Sequence, residues 1–590
     1  MEIYHSKKAI FSKELAVLNK KYNSISLLRL VIGLLFGFSF YYYLKNSDLL
    51  YAGLAFCFFV SFIVLMRFHT KLLFKRKIKE ALIKINTDEI DYLENNKLSF
   101  ENGIEFNDFS HPYAYDLDIF GEHSLFQNLN RTATFIGKKT LAQQLIKASS
   151  PEVILQNQEA TQELNDKIDW RQEFSALAKV TEDTQSSYKA LLQWSTFNSE
   201  SLPKWAVIFS YASPLLIISG FIAYLITSNL VILSSLSYLF VLNLIVLGKF
   251  LKRIKLEMGN SYNIDKVIGK YGVLLKSIEE ERFLDNKLVA LQQKLKFKTE
   301  NASVHLKKLS DLFSKNDSIE NVVTAVLFNG TFLFNLHVLK SLVGWKKEHA
   351  AALEEWLEVI GEFEFLNSMT NFAYNNPDFV YPVLNSDYKI DFENLSHPLL
   401  NSKTRVGNGV AFYPQSFMIL TGSNMSGKST FLRCLGVNMV LSGMGAVVCA
   451  TKANVHPLPV LVSMRLSDSL SDSESYFYAE IKRLKQIMDA LENQPAFVLL
   501  DEILRGTNSD DKRNGTIEVV KKMIAKKAIG AIATHDIEVC LTTNSYPTIL
   551  TNKAFEVEIV NDDLYFDYKL RDGVCQNKSA SFLMKKMGVI

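Results

Sequence analysis

At 590 residues the chain exceeds what one hydrophobic core organises, and the usual domain size sets an expectation of about three to five units. Hydrophobic residues make up 48% and charged residues 22%, more apolar than a purely soluble chain needs yet too charged for an all-membrane protein. A net charge of +3 gives no global field for nucleic acid, and five scattered cysteines without a C-x-x-C pair exclude a disulfide framework or zinc site and fit a reducing compartment.

In chain order, the first feature is a pair of apolar runs, 25–43 and 49–66, and a second pair follows at 205–226 and 230–247. Each approaches the roughly 17–25 residues that a helix needs to cross hydrocarbon. The links LKNSD and TSN are so short that each pair forms a hairpin and returns the chain to its starting side. Lys7, Lys8, Lys13, Lys20 and Lys21 precede the first pair, Lys71, Lys75, Arg76, Lys77 and Lys79 follow it, and Lys249, Lys252, Arg253 and Lys255 follow the second. By the positive-inside rule that side is the cytoplasm. The expectation is a multi-pass protein of the cell (inner) membrane with four lipid-facing spans, and with both termini and the soluble domains cytoplasmic. Pro214, Asn229 and Asn243 weaken the second pair as spans. The first run lies behind a charged N-terminus and is followed at once by a second, so it reads as a retained span rather than a cleaved signal.

Between and after the hairpins the chain reads as helical, and the Lys-, Glu-, Leu- and Gln-rich stretch 264–316 reads as long solvent-exposed helices.

The C-terminal third carries the chemistry. TGSNMSGKSTFLR, residues 421–433, contains G-x-x-x-x-G-K-[ST] with Gly422, Gly427, Lys428 and Ser429 in register. SFMIL before it has strand character and STFLRCLGVNMVL after it has helical character, so backbone N–H groups of Ser423, Asn424, Met425, Ser426 and Thr430 are placed to cradle the phosphates of ATP. Lys428 is expected on the β- and γ-phosphates and Ser429 on Mg²⁺. AFVLLDE is an apolar strand ending in Asp501, expected to orient the Mg²⁺ shell, and Glu502, expected to polarise the attacking water. AIGAIATHD is a further strand ending at Thr534 and His535, where an imidazole could sense the γ-phosphate. Between these motifs a Ser/Asp cluster, with Ser471 and Glu474 in a capping-box spacing, opens an amphipathic helix bearing Ile481, Leu484, Ile487, Met488 and Leu491. A serine-bearing helix N-terminus that no phosphate of its own chain claims suits a nucleotide held by a second subunit.

Taken together these motifs resemble the ATPase domain of the MutS family, the ABC-type ATPases of DNA mismatch repair. TGSNMSGKSTFLR is similar to that family's T-G-P-N-M-x-G-K-S-T-x-L-R, LLDEILRGTNSDD to its L-x-D-E-x-x-R-G-T-x-x-x-D, and ATHDIEV to its A-T-H switch. Upstream, YDLDIFGEHSLFQNLNRTATFIGKKTLAQQL resembles the start of the family's helical core. The resemblance implies that Ser475 is the signature serine contacting the opposite subunit's γ-phosphate, and that Arg505–Asp511 meets its twin across a homodimer of ATPase domains. Departures stand beside it. No mismatch-reading domain or Phe-x-Glu wedge is found, and the second hairpin sits where the family has its levers and DNA clamp. Ser396 replaces an arginine before His397 and Pro398, and Arg405 stands where an aromatic that stacks on adenine is expected.

The resulting organisation is a cytoplasmic tail (1–24), a first transmembrane hairpin (25–68), a MutS-like all-α core (79–202), a second hairpin (203–250), the core and lever resumed (251–388), and an α/β ABC-type P-loop ATPase domain (389–590). The expected function is a dimeric, membrane-anchored ATP hydrolase acting on DNA without mismatch specificity. The alternatives are an ATPase coupled to a protein or lipid partner at the membrane, or an ABC-type transporter.

Overall fold

The structure, a computed structural model, describes residues 1–181, 183–197, 199–258, 261–317, 322–465, 476–560 and 563–575. The first hairpin consists of two long helices, α1 (Glu2–Asn46) and α2 (Leu49–Asn95), packed against each other along their length. The turn is built by Ser47 in the left-handed region (φ 53°), whose N–H bonds to Tyr43 O, and by Asp48, whose carboxylate caps Leu50 N. The second hairpin repeats the device: α3 (Lys204–Thr227) ends on Ser228 at φ 52°, and Asn229 Oδ1 accepts from Val231 N at the start of α4 (Leu230–Met258). A left-handed C-terminal residue followed by an Asx N-cap reverses a helix in two or three residues, so LKNSD and TSN suffice.

All four helices have the length and composition to cross a membrane, and only 6% of each apolar window in the first pair and 17% in the second is buried. The expected cytoplasmic tail is not a separate unit. Residues 2–24 are the first turns of α1, and Tyr4, 1% exposed, donates from its hydroxyl to Asn375 Oδ1 in the core. The stretch expected to be solvent-exposed also differs. In α5 (Ser261–Glu280) a full stripe of Ile264, Val267, Ile268, Tyr271, Leu274, Leu275 and Ile278 is buried, because apolar residues at helical spacing outweigh the charges between them.

A short apolar helix, α6 (Val322–Phe332), precedes the 42-residue α7 (Phe334–Asn375), which it meets at 80°. The carboxylate of Glu89 on α2 pairs with Arg131 and accepts from Asn371 Nδ2 at 3.0 Å and Asn375 Nδ2 at 2.9 Å, fastening the first hairpin to the end of α7.

Two sheets follow. A four-stranded sheet has β1 (Val383–Leu384), β2 (Ile390–Leu395), β3 (Asn408–Phe412) and, after the strand β4 (Phe417–Gly422) of the larger sheet, β5 (Lys452–Val455). The larger sheet continues with β6 (Val460–Ser463), β7 (Phe497–Asp501), β8 (Ile529–Ala533), β9 (Leu550–Phe555) and β10 (Leu570–Asp572), in the order β10-β9-β4-β8-β7-β6. All its neighbours are parallel except β10 against β9. Strands buried on both faces read as continuous apolar runs, as FMIL, FVLL and IGAIA do. One face carries α8 (Lys428–Met444), which also packs on the helical core: Asn157 Nδ2 donates to Met444 O at 2.9 Å and Ser149 N to Gly443 O at 2.9 Å. The other face carries α9 (Tyr476–Asn493) and α10 (Ser509–Ala525), with Leu484, Ile487 and Leu491 buried and Ile481 40% exposed.

Candidate nucleotide site

The sheet places the three sequence motifs side by side. Strand β8 lies between β4 and β7, so the loop after β4, the carboxylates after β7 and His535 after β8 emerge at the same carboxyl edge. That edge is where open parallel sheets bind their ligands. The loop 423–427 turns directly into α8, with Gly427 at φ 102° as the residue before its first turn. A Cβ there would be strained and would sit 3.0 Å from the Tyr568 ring, so only glycine brings the backbone under that ring.

Lys428 Nζ donates to Gly422 O at 2.9 Å and Ser423 O at 3.0 Å, folding the lysine over its own loop. Burial lowers its pKa, opposed chiefly by the charge of Glu502 and then Asp501. Glu502 Oε1 pairs with His535 Nε2 at 2.6 Å, and Arg505 Nη2 lies 3.6 Å from the same carboxylate. The His535 bond, more than the surrounding charges, holds Glu502 down at about 2, so it is ionised at neutral pH. His535 Nε2 also lies 3.5 Å from Lys428 Nζ. One nitrogen cannot donate to Glu502 and accept from Lys428 together, so the shorter contact fixes Nε2–H toward the carboxylate. Asp501 is buried and its pKa is raised by desolvation, opposed first by the neighbouring Ser429 side chain, while its Oδ1 has no partner among the described residues.

Of these groups Lys428, Ser429 and Glu502 border a cavity of about 530 Å³, walled also by His397, Val406, Tyr568, Phe555 and the loop residues Asn424–Thr430. A volume of that size suits a nucleotide-sized ligand. Arg405 lines the cavity but is pinned by an ion pair with Asp378 and lies over the Phe379 ring at 4.9 Å, so the aromatic surface there comes from Tyr568 and Phe555. His397 is kept neutral, its pKa lowered to about 4 by burial and then by Arg433. Ser396, in place of the expected arginine, bonds Cys449 Sγ at 2.9 Å.

Ser475, with Ser471 and Glu474, lies outside the described residues. Three positioning residues escape sequence reading. Glu480 on α9 accepts from Leu504 N at 2.6 Å and Arg505 N at 3.1 Å, tethering the loop after Glu502. Asp118 holds Arg433 of α8 and Arg465 beyond β6, joining the core to the sheet. Tyr568 covers the loop, and its signal was an aromatic two residues before β10, too common a pattern to stand out.

Residues 418–588 match the model of MutS domain V. This C-terminal region is similar to the MutS family. It is 25% identical over 281 residues to the MutS protein homolog 4 of Homo sapiens, an alignment covering 46% of this chain and 29% of the relative. It is 28% identical over 254 residues to the DNA mismatch repair protein MutS of Methanococcoides burtonii, with coverage of 41% and 28%. The MutS of Thermotoga maritima is 27% identical over 258 residues, covering 43% and 32%. The chain thus matches less than a third of the length of each of these relatives. Domain V, the part matched by the family model, is the MutS family's ATPase domain.

Proposed function

We propose that the protein is a membrane-anchored ABC-type P-loop ATPase, working as a homodimer whose nucleotide-driven closure moves the helical core on DNA without mismatch preference. The observation that carries this reading is the meeting of Lys428, Ser429, Asp501, Glu502 and His535 at one edge of adjacent parallel strands, beside a cavity of about 530 Å³. Each group has a task that its surroundings suit. Lys428 leaves two loop carbonyls to take phosphate oxygens, exchanging neutral acceptors for charged ones. Glu502 stays anionic and accepts the proton of the water that attacks the γ-phosphate, once His535 turns from the carboxylate toward that phosphate. Asp501 and Ser429 fit Mg²⁺, since a buried carboxylate oxygen without a partner next to a hydroxyl is a hard-oxygen donor set. Bound there, Mg²⁺ supplies charge neutralisation of the phosphates.

A second reading, an ATPase coupled to a protein or lipid partner, is favoured by the direct fastening of the first hairpin to α7 through Glu89 and Tyr4. ATP hydrolysis by the detergent-solubilised protein, with Mg²⁺ and with no DNA or matched, mismatched or branched DNA, tests both. Mg²⁺-dependent hydrolysis that DNA alters regardless of mismatch supports the first reading. Hydrolysis indifferent to every DNA transfers the reading to the second, and absence of hydrolysis overturns both.

A further inference from the structure

We propose that α6 is a further membrane-inserted element, lying across the spans of the second hairpin within the acyl layer of the cytoplasmic leaflet, with lipid hydrocarbon as the partner of its exposed face. The inference rests on the membrane reading proposed above. The helix sequence VVTAVLFNGTF has no charge, and Val322, Val326, Leu327, Phe328 and Phe332 are exposed by 75%, 41%, 53%, 45% and 43%. In water such a surface is a liability, whereas it is continuous with the apolar exterior of α3 and α4.

Depth can be read from the contacts. A Cβ on Gly330 would fall 2.2 Å from Phe240 Cε2, so the glycine is what lets α6 lie against α4. Asn243 Nδ2 donates to Gly330 O at 2.7 Å and is itself held by Ser213 Oγ, which donates to Asn243 Oδ1 at 2.6 Å, and Phe240, Asn243 and Ser213 all belong to the apolar runs of the second hairpin. The water boundary is marked by Lys249 over the Trp205 ring and by Lys340 Nζ, which donates to Tyr211 Oη at 3.2 Å. Asn243 precedes Lys249 by six positions on α4, hence lies about 9 Å deeper at a rise of 1.5 Å per residue. Helices embedded in the plane of a leaflet sit about 5–10 Å into the headgroup and acyl boundary. At 11 residues α6 spans about 16 Å, too short to cross, and its 80° angle to α7 directs it sideways.

Hydrocarbon tolerates a broken helix only where the freed backbone groups are satisfied. Leu333 takes the left-handed conformation at φ 48°, its N–H bonds to Asn329 O at 3.1 Å, and Asn329 Oδ1 accepts from Asn335 N at 2.9 Å. Asn329 thereby serves both sides of the break from a position only 1% exposed.

Nitroxide labels on the full chain in phosphatidylcholine–phosphatidylglycerol liposomes test this. Single cysteines are placed by Leu327→Cys on α6, Ile222→Cys on α3 and Glu518→Cys on α10 in a Cys57→Ser background, the other four cysteines being buried. Collision with oxygen is compared with collision with a water-soluble nickel chelate. The expected result is that Leu327→Cys behaves as Ile222→Cys does, favouring oxygen, with the order reversed at Glu518→Cys. Nickel accessibility at Leu327→Cys with Ile222→Cys still shielded overturns the proposal alone. Nickel accessibility at both overturns the membrane reading with it. Shielding of Leu327→Cys from both reagents means that protein, such as a second copy, covers α6 and overturns lipid as its partner.

Discussion

Replacing Glu502 with Gln keeps the side chain's shape and removes its charge, so it separates catalysis from binding. The carboxylate sits at about 2 against an ordinary 4.5, a gap of about 2.5 units or ~3 kcal/mol in favour of the anion at 1.36 kcal/mol per unit. The largest single cause of that preference is the His535 bond, which a Gln oxygen can still accept, so the local structure survives. What is lost is the proton acceptor, and removal of a positioned base slows the chemical step by about 10²–10⁴-fold. Lys428 and the loop stay in place, so ATP affinity changes by no more than a few-fold. Single-turnover release of the γ-phosphate gives the first quantity and titration with a fluorescent ATP analogue the second. Hydrolysis at the parental rate refutes the assignment of Glu502, and loss of nucleotide binding refutes the separation of roles.

Lys428→Ala removes the cation that gathers Gly422 O and Ser423 O, and nucleotide affinity should fall tenfold or more, about 1.4 kcal/mol, by the same titration. Mixed with Ser475→Arg subunits, each inactive alone, it should regain activity through one intact composite site; none regained counts against the dimeric arrangement. Glu89→Ala leaves Arg131 buried without its carboxylate and should cost about 3–5 kcal/mol, seen as a lower melting temperature, whereas an unchanged melt removes the fastening role. Burial raises Glu364 to about 7, so between pH 4.5 and 7 the folded chain retains a proton that the unfolded chain releases. Stability should therefore decline as pH rises through that window, and Glu364→Gln should flatten the decline. Matched and single-mismatch duplexes titrated at fixed salt should bind within tenfold of each other, about 1.4 kcal/mol, and a larger preference restores mismatch sensing.

The candidate site was legible because each of its groups follows an apolar strand, and a strand end is a local pattern. Lys428, Asp501, Glu502 and His535 fall where that pattern puts them, although the pairing of His535 with Glu502 depends on β8 lying between β4 and β7, which no local pattern states. The helix α6 was missed for the opposite reason. Its 11 residues are shorter than a span, and the break depends on a side-chain bond from Asn329 to Asn335 rather than on proline or glycine at the bend. In α1, lysines read as a flanking tail belong to a helix whose first turn is anchored by Tyr4, a contact 371 positions away in sequence. Charge composition reports on exposure of lysines and says nothing about where the backbone beneath them is held.

The helix α7 leaves the break at Leu333 beside the second hairpin and ends at Asn375, three residues before Asp378, whose carboxylate holds Arg405 in the wall of the candidate site's cavity. Its 42 residues measure about 63 Å. A straight rod of that length converts angle into distance: a swing of about 5° at one end moves the other by about 5 Å, roughly one helical turn. A rearrangement near Arg405 too small to alter the sheet would thus carry the far end past a whole ridge of its neighbours, and the proposed lipid seating of α6 sets the pivot against which that stroke is measured.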